Sequence, residues 1–272
     1  MNVTVRLAGR ASLVAIGALH LVPFYILLNL ALKSPTAFRS LWLPPREIRM
    51  ANFAEAWVNA NLGRALLNNV IITAVSIGLV ILIGAIASYP LARYRTRLNN
   101  AVYSLFIACM IVPNLTVLVP LYKLIVDLGG MNQYASIIVL HITFNLPMIV
   151  FLYTGFIGTL PRELDESAWI DGCGRIRLLL QIVFPLLKPV TATAFIVVGV
   201  SIWNDYNFSL FFLQENAMKT ITVSLSSFFS QYSHYVERMA AGCLIASVPV
   251  IVLYLSLQNQ FIKGLSSGAV KG

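Results

Sequence analysis

Apolar residues run through this chain in blocks of about twenty, the length that carries a helix across the ~30 Å hydrocarbon core of a bilayer. Six blocks stand out, at roughly 11–32, 67–91, 101–122, 135–158, 190–212 and 240–262. Lipid offers no hydrogen-bond partner to open backbone, so each block is predicted to be a transmembrane helix. A β-barrel would instead show alternating segments of ~10 residues, and none occur. Pro23, Pro90, Pro113, Pro120, Pro147 and Pro249 fall inside the blocks. Proline is tolerated at membrane depth where neighbours or water satisfy the freed carbonyl, which predicts a kinked bundle. The fold class is therefore all-α and polytopic, with six transmembrane helices in a single membrane domain over residues 1–272.

The pattern changes between the fourth and fifth blocks. Residues 163–189 read ELDESAWIDGCGRIRLLLQIVFPLLKP and hold four of the ten acidic residues of the chain. Pro161 suits the first turn of a helix, and Glu163, Asp165 and Glu166 favour its positive N-terminal end. Trp169, Cys173, Ile176, Leu180 and Val183 are spaced 4, 3, 4, 3, which predicts one apolar stripe on a helix. Asp171 and Arg175 stand at i and i+4 with the acid first, the better order for a surface pair. Gly172 and Gly174 interrupt the run, and Pro185 and Pro189 mark the start of the fifth span. The segment 159–189 is too polar to span and too patterned for a slack linker. On residue chemistry alone it is either a solvated inter-helix loop or a docking surface.

Composition agrees with the membrane reading. The chain is 58% hydrophobic and 11% charged, with a mean hydropathy of +0.81, whereas soluble domains carry about 25% charged residues. Arg6 and Arg10 precede the first block in the manner of a signal peptide. Its apolar run is longer than a signal core and no small-x-small cleavage site follows, so it reads as a retained span. Lys and Arg in short loops set orientation. With the N-terminus inside, the inner side takes Arg93, Arg95 and Arg97, then Arg162, Arg175, Arg177 and Lys188, while 125–134 carries no basic residue. Both termini and the 159–189 segment are thus expected in the cytoplasm. The net charge of +9 fits anchoring to anionic lipid and requires no nucleic acid. Cys109, Cys173 and Cys243 have neither disulfide nor metal spacing and read as small apolar fillers; no metal site is expected.

Most site chemistry is missing. His20, His141 and His234 are dispersed, and no HExxH or GxSxG occurs. The chain also lacks GxxxxGK[ST], so any nucleotide-driven work requires another polypeptide to bind the nucleotide. Polar groups at membrane depth are costly and point to function or helix bonding. Asp205 is the one carboxylate inside a predicted span. Trp203, Asn204, Tyr206 and Asn145 offer aromatic faces beside amides, the lining a neutral sugar would suit. With Asp205 they are candidates for a solute pathway, the alternative being bonds between helices. The polar, aromatic outer stretch at roughly 213–239 is either a contact for an external partner or a loop covering the helices. A stand-alone secondary transporter would show internal repeats and intramembrane charge pairs. An intramembrane hydrolase would need a nucleophile and base at defined spacing.

The order Glu166-Ser167-Ala168, three residues, Gly172, nine residues, Ile182, one residue, Phe184-Pro185 resembles the EAA loop of ABC importer permeases. Ser167 stands for an alanine of that pattern and Phe184 for a leucine. Further stretches are similar to the second membrane subunit of carbohydrate importers of the maltose and glycerol-phosphate type. They are ANFAEAW (51–57), LNNVIITAVSIGL (67–79), ASYPLARYR (87–95), MIVPNLTVLVPLYKL (110–124), WNDYNFSLFFL (203–213) and FIKGLSSGAVKG (261–272). The resemblance implies the ABC importer permease fold in the bacterial inner membrane. It implies a non-catalytic subunit that moves a sugar or sugar-like solute by alternating access, with a polyol, glycerol phosphate or an anionic sugar as alternatives. It implies a coupling helix formed by Glu163, Asp165, Glu166, Ser167, Ala168, Asp171, Gly172 and Arg175 that docks on an ATPase. It further implies a C-terminal ATPase contact at Gly268, Ala269, Val270, Lys271 and Gly272. The implied partners are a homologous permease forming a heterodimer, two ATPase subunits carrying ATP and Mg, and an extracytoplasmic solute-binding protein. No cofactor is expected on this chain.

Overall fold

The computed structural model describes the backbone of residues 3–34, 40–231 and 235–269. Every regular element among them is helical. In chain order these are α1 (Val3–Ala31), α2 (Ala51–Asn59), α3 (Leu62–Arg93), α4 (Arg97–Cys109), α5 (Leu118–Asp127), α6 (Tyr134–Ile157) and α7 (Glu163–Ile170). They continue with α8 (Arg175–Leu178), α9 (Phe184–Leu186), α10 (Lys188–Trp203), α11 (Asn207–Phe212), α12 (Ile221–Gln231) and α13 (Val236–Ala269). A 3₁₀ turn, Asn114–Val117, leads into α5, and a π turn, Leu179–Val183, joins α8 to α9.

The first, second, fourth and sixth apolar blocks are unbroken helices long enough to cross a bilayer, within α1, α3, α6 and α13. The third and fifth are not single rods. Arg97–Cys109 and Asn114–Asp127 meet at 91°, and Arg175–Leu186 and Lys188–Trp203 at 74°. Counting each bent pair as one span gives the expected six. The bends follow from proline: it lacks the N–H for the helical ladder and disfavours α geometry in the residue before it. Pro113, with an extended ψ of 130°, stands in the break between Cys109 at the end of α4 and the 3₁₀ turn that starts at Asn114. In the fifth, a π turn precedes Pro185, and Pro189 sits in the first turn of α10. Pro23, Pro90, Pro147 and Pro249, by contrast, lie inside continuous helices.

The chain packs as two compact units, one of residues up to 64 with 223–248, the other of 65–222 with 249 onward. In the first, amide side chains close the stretch after α1. Asn29 Nδ2 donates to the carbonyls of Leu41 and Leu43, and Asn52 Nδ2 to those of Ala31 and Lys33. Glu55 bridges Arg49 at 2.6 Å and Arg238 at 2.5 Å. Leu13, Val14, Leu19 and Leu21 point to different sides of α1 and all are exposed, apolar surface of the kind a membrane helix turns to lipid.

The second unit has one apolar core. Ile72, Ile77, Val80 and Ala85 of α3 pack with Ile137, Ile149, Tyr153 and Ile157 of α6, with Val190, Ala194 and Val198 of α10, and with Phe208 and Phe212 of α11. Gly84 lets α3 approach α6, since a Cβ there would lie 2.2 Å from Ile149 Cγ2. Small residues do this where membrane helices pack closely. Tyr153 Oη and Thr191 Oγ1 share a 2.8 Å hydrogen bond within this core.

Candidate functional site

The segment between the fourth and fifth spans is a short helix, a reversal and a second helical run. Glu163, Asp165 and Glu166 occupy the first turn of α7, as expected, where the backbone N–H groups favour negative charge. The helix begins at Glu163, two residues after Pro161. It ends in a Schellman arrangement: Cys173 N–H donates to Ala168 C=O (2.8 Å) and Gly172 N–H to Trp169 C=O (3.0 Å). This geometry needs a left-handed residue after the cap, and Gly172 supplies it at φ +76°. A Cβ at Gly172 would meet no atom within 4 Å. The glycine is therefore required by backbone conformation alone.

This reversal overturns the single apolar stripe. Residues 169 and 176 no longer share a helix, and Trp169, Ile176 and Leu180 are exposed. The buried face is instead Ala168 with Leu178, Leu179, Val183 and Leu187. Asp171 and Arg175, on either side of the break, form no ion pair among the described residues. Glu163, Glu166, Ser167, Asp171, Gly172 and Arg175 all lie on the surface, while Asp165 and Ala168 are buried. Gly174, Arg175, Ile176, Arg177, Leu180 and Gln181 line an open groove of about 780 Å³ beside them.

Arg93, the last residue of α3, and Tyr94, the residue after it, hold both arms of this segment. Arg93 Nε lies 2.6 Å from Asp165 Oδ2, with both side chains almost fully buried. The same guanidinium donates to the carbonyls of Leu160 (2.9 Å) and Pro161 (3.4 Å). The neighbouring Tyr94 ring carries the Arg175 guanidinium 5.9 Å from its centroid. Arg93 reads in sequence as one of three topology-setting arginines, so neither its burial nor its partner was apparent.

The polar residues of the fifth span gather where its helix stops. α10 ends at Trp203, and Asp205 caps α11 by accepting from Phe208 N–H (3.2 Å), Ser209 N–H (2.8 Å) and Ser209 Oγ (2.8 Å). The Asp205 carbonyl accepts from Thr222 Oγ1 at 2.6 Å. His141 Nε2 lies 3.9 Å from Asp205 Oδ2. Of the pathway candidates, Asn204 and Tyr206 are exposed, Asp205 and Asn145 are partly covered and Trp203 is buried. Asn145 Nδ2 donates within its own helix to His141 C=O (2.8 Å).

Two asparagines passed over in sequence tie this region to α3. Asn69 Nδ2 donates to Trp203 C=O (3.0 Å). Asn68 Nδ2 donates to the carbonyls of Ala217 and Lys219, both at 2.9 Å, while its Oδ1 accepts from Tyr134 Oη at 2.7 Å. Adjacent amides in an otherwise apolar block are the signal that marks them. The stretch at roughly 213–239 is likewise no slack loop, since α12 lies in it with Ile221, Val223 and Phe228 buried. At the other end of the chain, Gly268 and Ala269 form the last residues of α13. Val270, Lys271 and Gly272 lie outside the described residues.

A family model described as "Binding-protein-dependent transport system inner membrane component" matches residues 80–267. The melibiose/raffinose/stachyose import permease protein MelC of Bacillus subtilis is 49% identical over 254 residues, covering 93% of this chain and 92% of that protein. The probable starch degradation products transport system permease protein AmyC of Thermoanaerobacterium thermosulfurigenes is 30% identical, covering 95% and 94%. Among solved structures, a bacterial ABC transporter involved in import of the acidic polysaccharide alginate matches with a TM-score of 0.77. It is 19% identical, covering 96% of this chain and 99% of that one.

Proposed function

This chain belongs to the family of binding-protein-dependent transport system inner membrane components, and from that premise we propose that its 163–175 segment is the surface on which a partner ATPase acts. The subunit is a non-catalytic, multi-pass permease of the inner membrane, and it works with a solute-binding protein. The observation that supports the coupling role is the form of the segment. Glu163, Glu166, Ser167 and Asp171 are presented outward on a helix fixed by the Gly172 reversal and anchored from behind by Arg93.

In this reading residues 1–272 act as one permease domain paired with a homologous permease, on two ATPases that bind ATP and Mg. The tail from Gly268 to Gly272 reaches the same ATPases. ATP binding closes the ATPase pair and displaces both coupling helices, and the bundle changes from inward- to outward-facing, two packed states in exchange. The solute is a sugar. Melibiose, raffinose and stachyose are the first to try, since they appear in the name of a relative 49% identical. Asn204 and Tyr206, exposed beside the Asp205 cap, are the first candidates to line its path, with the partly covered Asn145 and the buried Trp203 after them.

The test is uptake of labelled sugar by cells carrying Glu166→Lys. Uptake falls at least tenfold while the protein remains in the membrane in normal amount and the ATPase no longer co-purifies. Wild-type uptake with the ATPase bound normally would overturn the assignment.

A further inference from the structure

Resting on the coupling reading, we propose that Arg93 is a positioning residue that transmits the movement of α7 to α3. Three observations carry it. Arg93 is the last residue of α3 and Asp165 lies in the first turn of α7, so their contact joins the two elements directly. The guanidinium also holds the Leu160 and Pro161 carbonyls, the backbone leading into α7. Three attachments from one planar group fix α7 in orientation as well as distance. Tyr94 stands over against Arg175 at the start of α8, so adjacent residues of one helix end hold both sides of the Gly172 reversal.

Burial argues that the pair does more than hold the fold. Taking two charges out of water offsets much of their attraction, and well-packed apolar residues often replace such pairs without loss of stability. Asp165 Oδ1 meets no hydrogen-bond donor of good geometry among the described residues, and the Tyr89 hydroxyl is the other polar group that interacts with the carboxylate. What the guanidinium supplies that an apolar side chain would not is its pair of directed hydrogen bonds to the Leu160 and Pro161 carbonyls beside the ionic contact with Asp165. Displacement of α7 then draws the end of α3 with it, and the core residues Tyr89 and Ala85 lie within the next turns of that helix.

The test uses the complete transporter in proteoliposomes with its binding protein and ATP, reading sugar moved and ATP hydrolysed together. The variants are Arg93→Met with Asp165→Leu, which removes both charges, and Arg93→Lys, which keeps a charge for Asp165 but not the planar fork. The readout is the ratio of sugar moved to ATP hydrolysed, so a change in the rate of hydrolysis alone does not enter it. Sugar moved per ATP falls about tenfold in the double variant and severalfold in Arg93→Lys. A wild-type ratio in either assembled variant would overturn the proposal, and should the double variant fail to assemble, Arg93→Lys alone decides. Failure of the coupling reading itself would look different, because Glu166→Lys would then move sugar at the wild-type rate with its ATPase bound.

Discussion

Gly172 is the residue at which conformation and sequence pattern coincide. Its φ of +76° lies where an L-residue with a Cβ costs about 1–2 kcal/mol, and asparagine less because it bonds locally. Gly172→Asn should therefore keep most uptake, whereas Gly172→Val loses most of it and weakens ATPase co-purification. Because no neighbour contacts the position, equal behaviour of the two variants would show that volume rather than backbone conformation is the issue. Asn68 makes a second residue-scale prediction. Asn68→Ala removes the hydrogen bonds to the carbonyls of Ala217 and Lys219 and to the Tyr134 hydroxyl, each worth about 0.5–1.5 kcal/mol net. The purified protein should melt several degrees lower, and Asn68→Asp, which keeps only the acceptor, should not restore it. The acids of α7 were legible from their position at a helix start, but their division was not. Asp165 looks like Glu163 and Glu166 until the fold brings Arg93 against it, and only contact separates a buried carboxylate from an exposed one.

At the scale of elements, hydropathy identified the spans because desolvation of the backbone dictates a helix wherever the chain enters lipid. It did not show which spans break. Six prolines lie in the blocks, yet the third span breaks at Pro113, while Pro90, Pro147 and Pro249 stay within continuous helices. A proline inside a helix removes a ladder hydrogen bond, yet three of these helices continue past one, so proline in the pattern does not by itself mark a break. The apolar stripe failed for a related reason, since one glycine in αL changes the chain direction and ends the 3.6-residue period at once. Helix approach gives a test at this scale. Gly84→Val places atoms against Ile149, whose Cγ2 is 2.2 Å from the nearest possible Cβ, and overpacking of this kind costs about 1–3 kcal/mol. The variant should lose thermal stability, and Ile149→Ala should recover part of the loss. No recovery would show that α3 and α6 do not depend on this contact.

For the whole molecule, the exposed apolar faces of α1 and α3 and the absence of a phosphate loop point the same way. Leu13, Leu19, Leu79 and Ile86 face outward, and the chain carries no nucleotide site of its own in sequence. Gentle purification should bring down a second permease and an ATPase. The family was legible because the Glu166-to-Pro185 spacing and several flanking motifs occur in one order. The solute was not, because Asn204 and Tyr206 offer general polar chemistry rather than a fitted site. The measurement that bears most directly on the account is sugar uptake by the purified assembly in proteoliposomes with its binding protein. Uptake should require ATP and be lost with Glu166→Lys. Uptake by this chain alone under an ion gradient, without ATP, would contradict it.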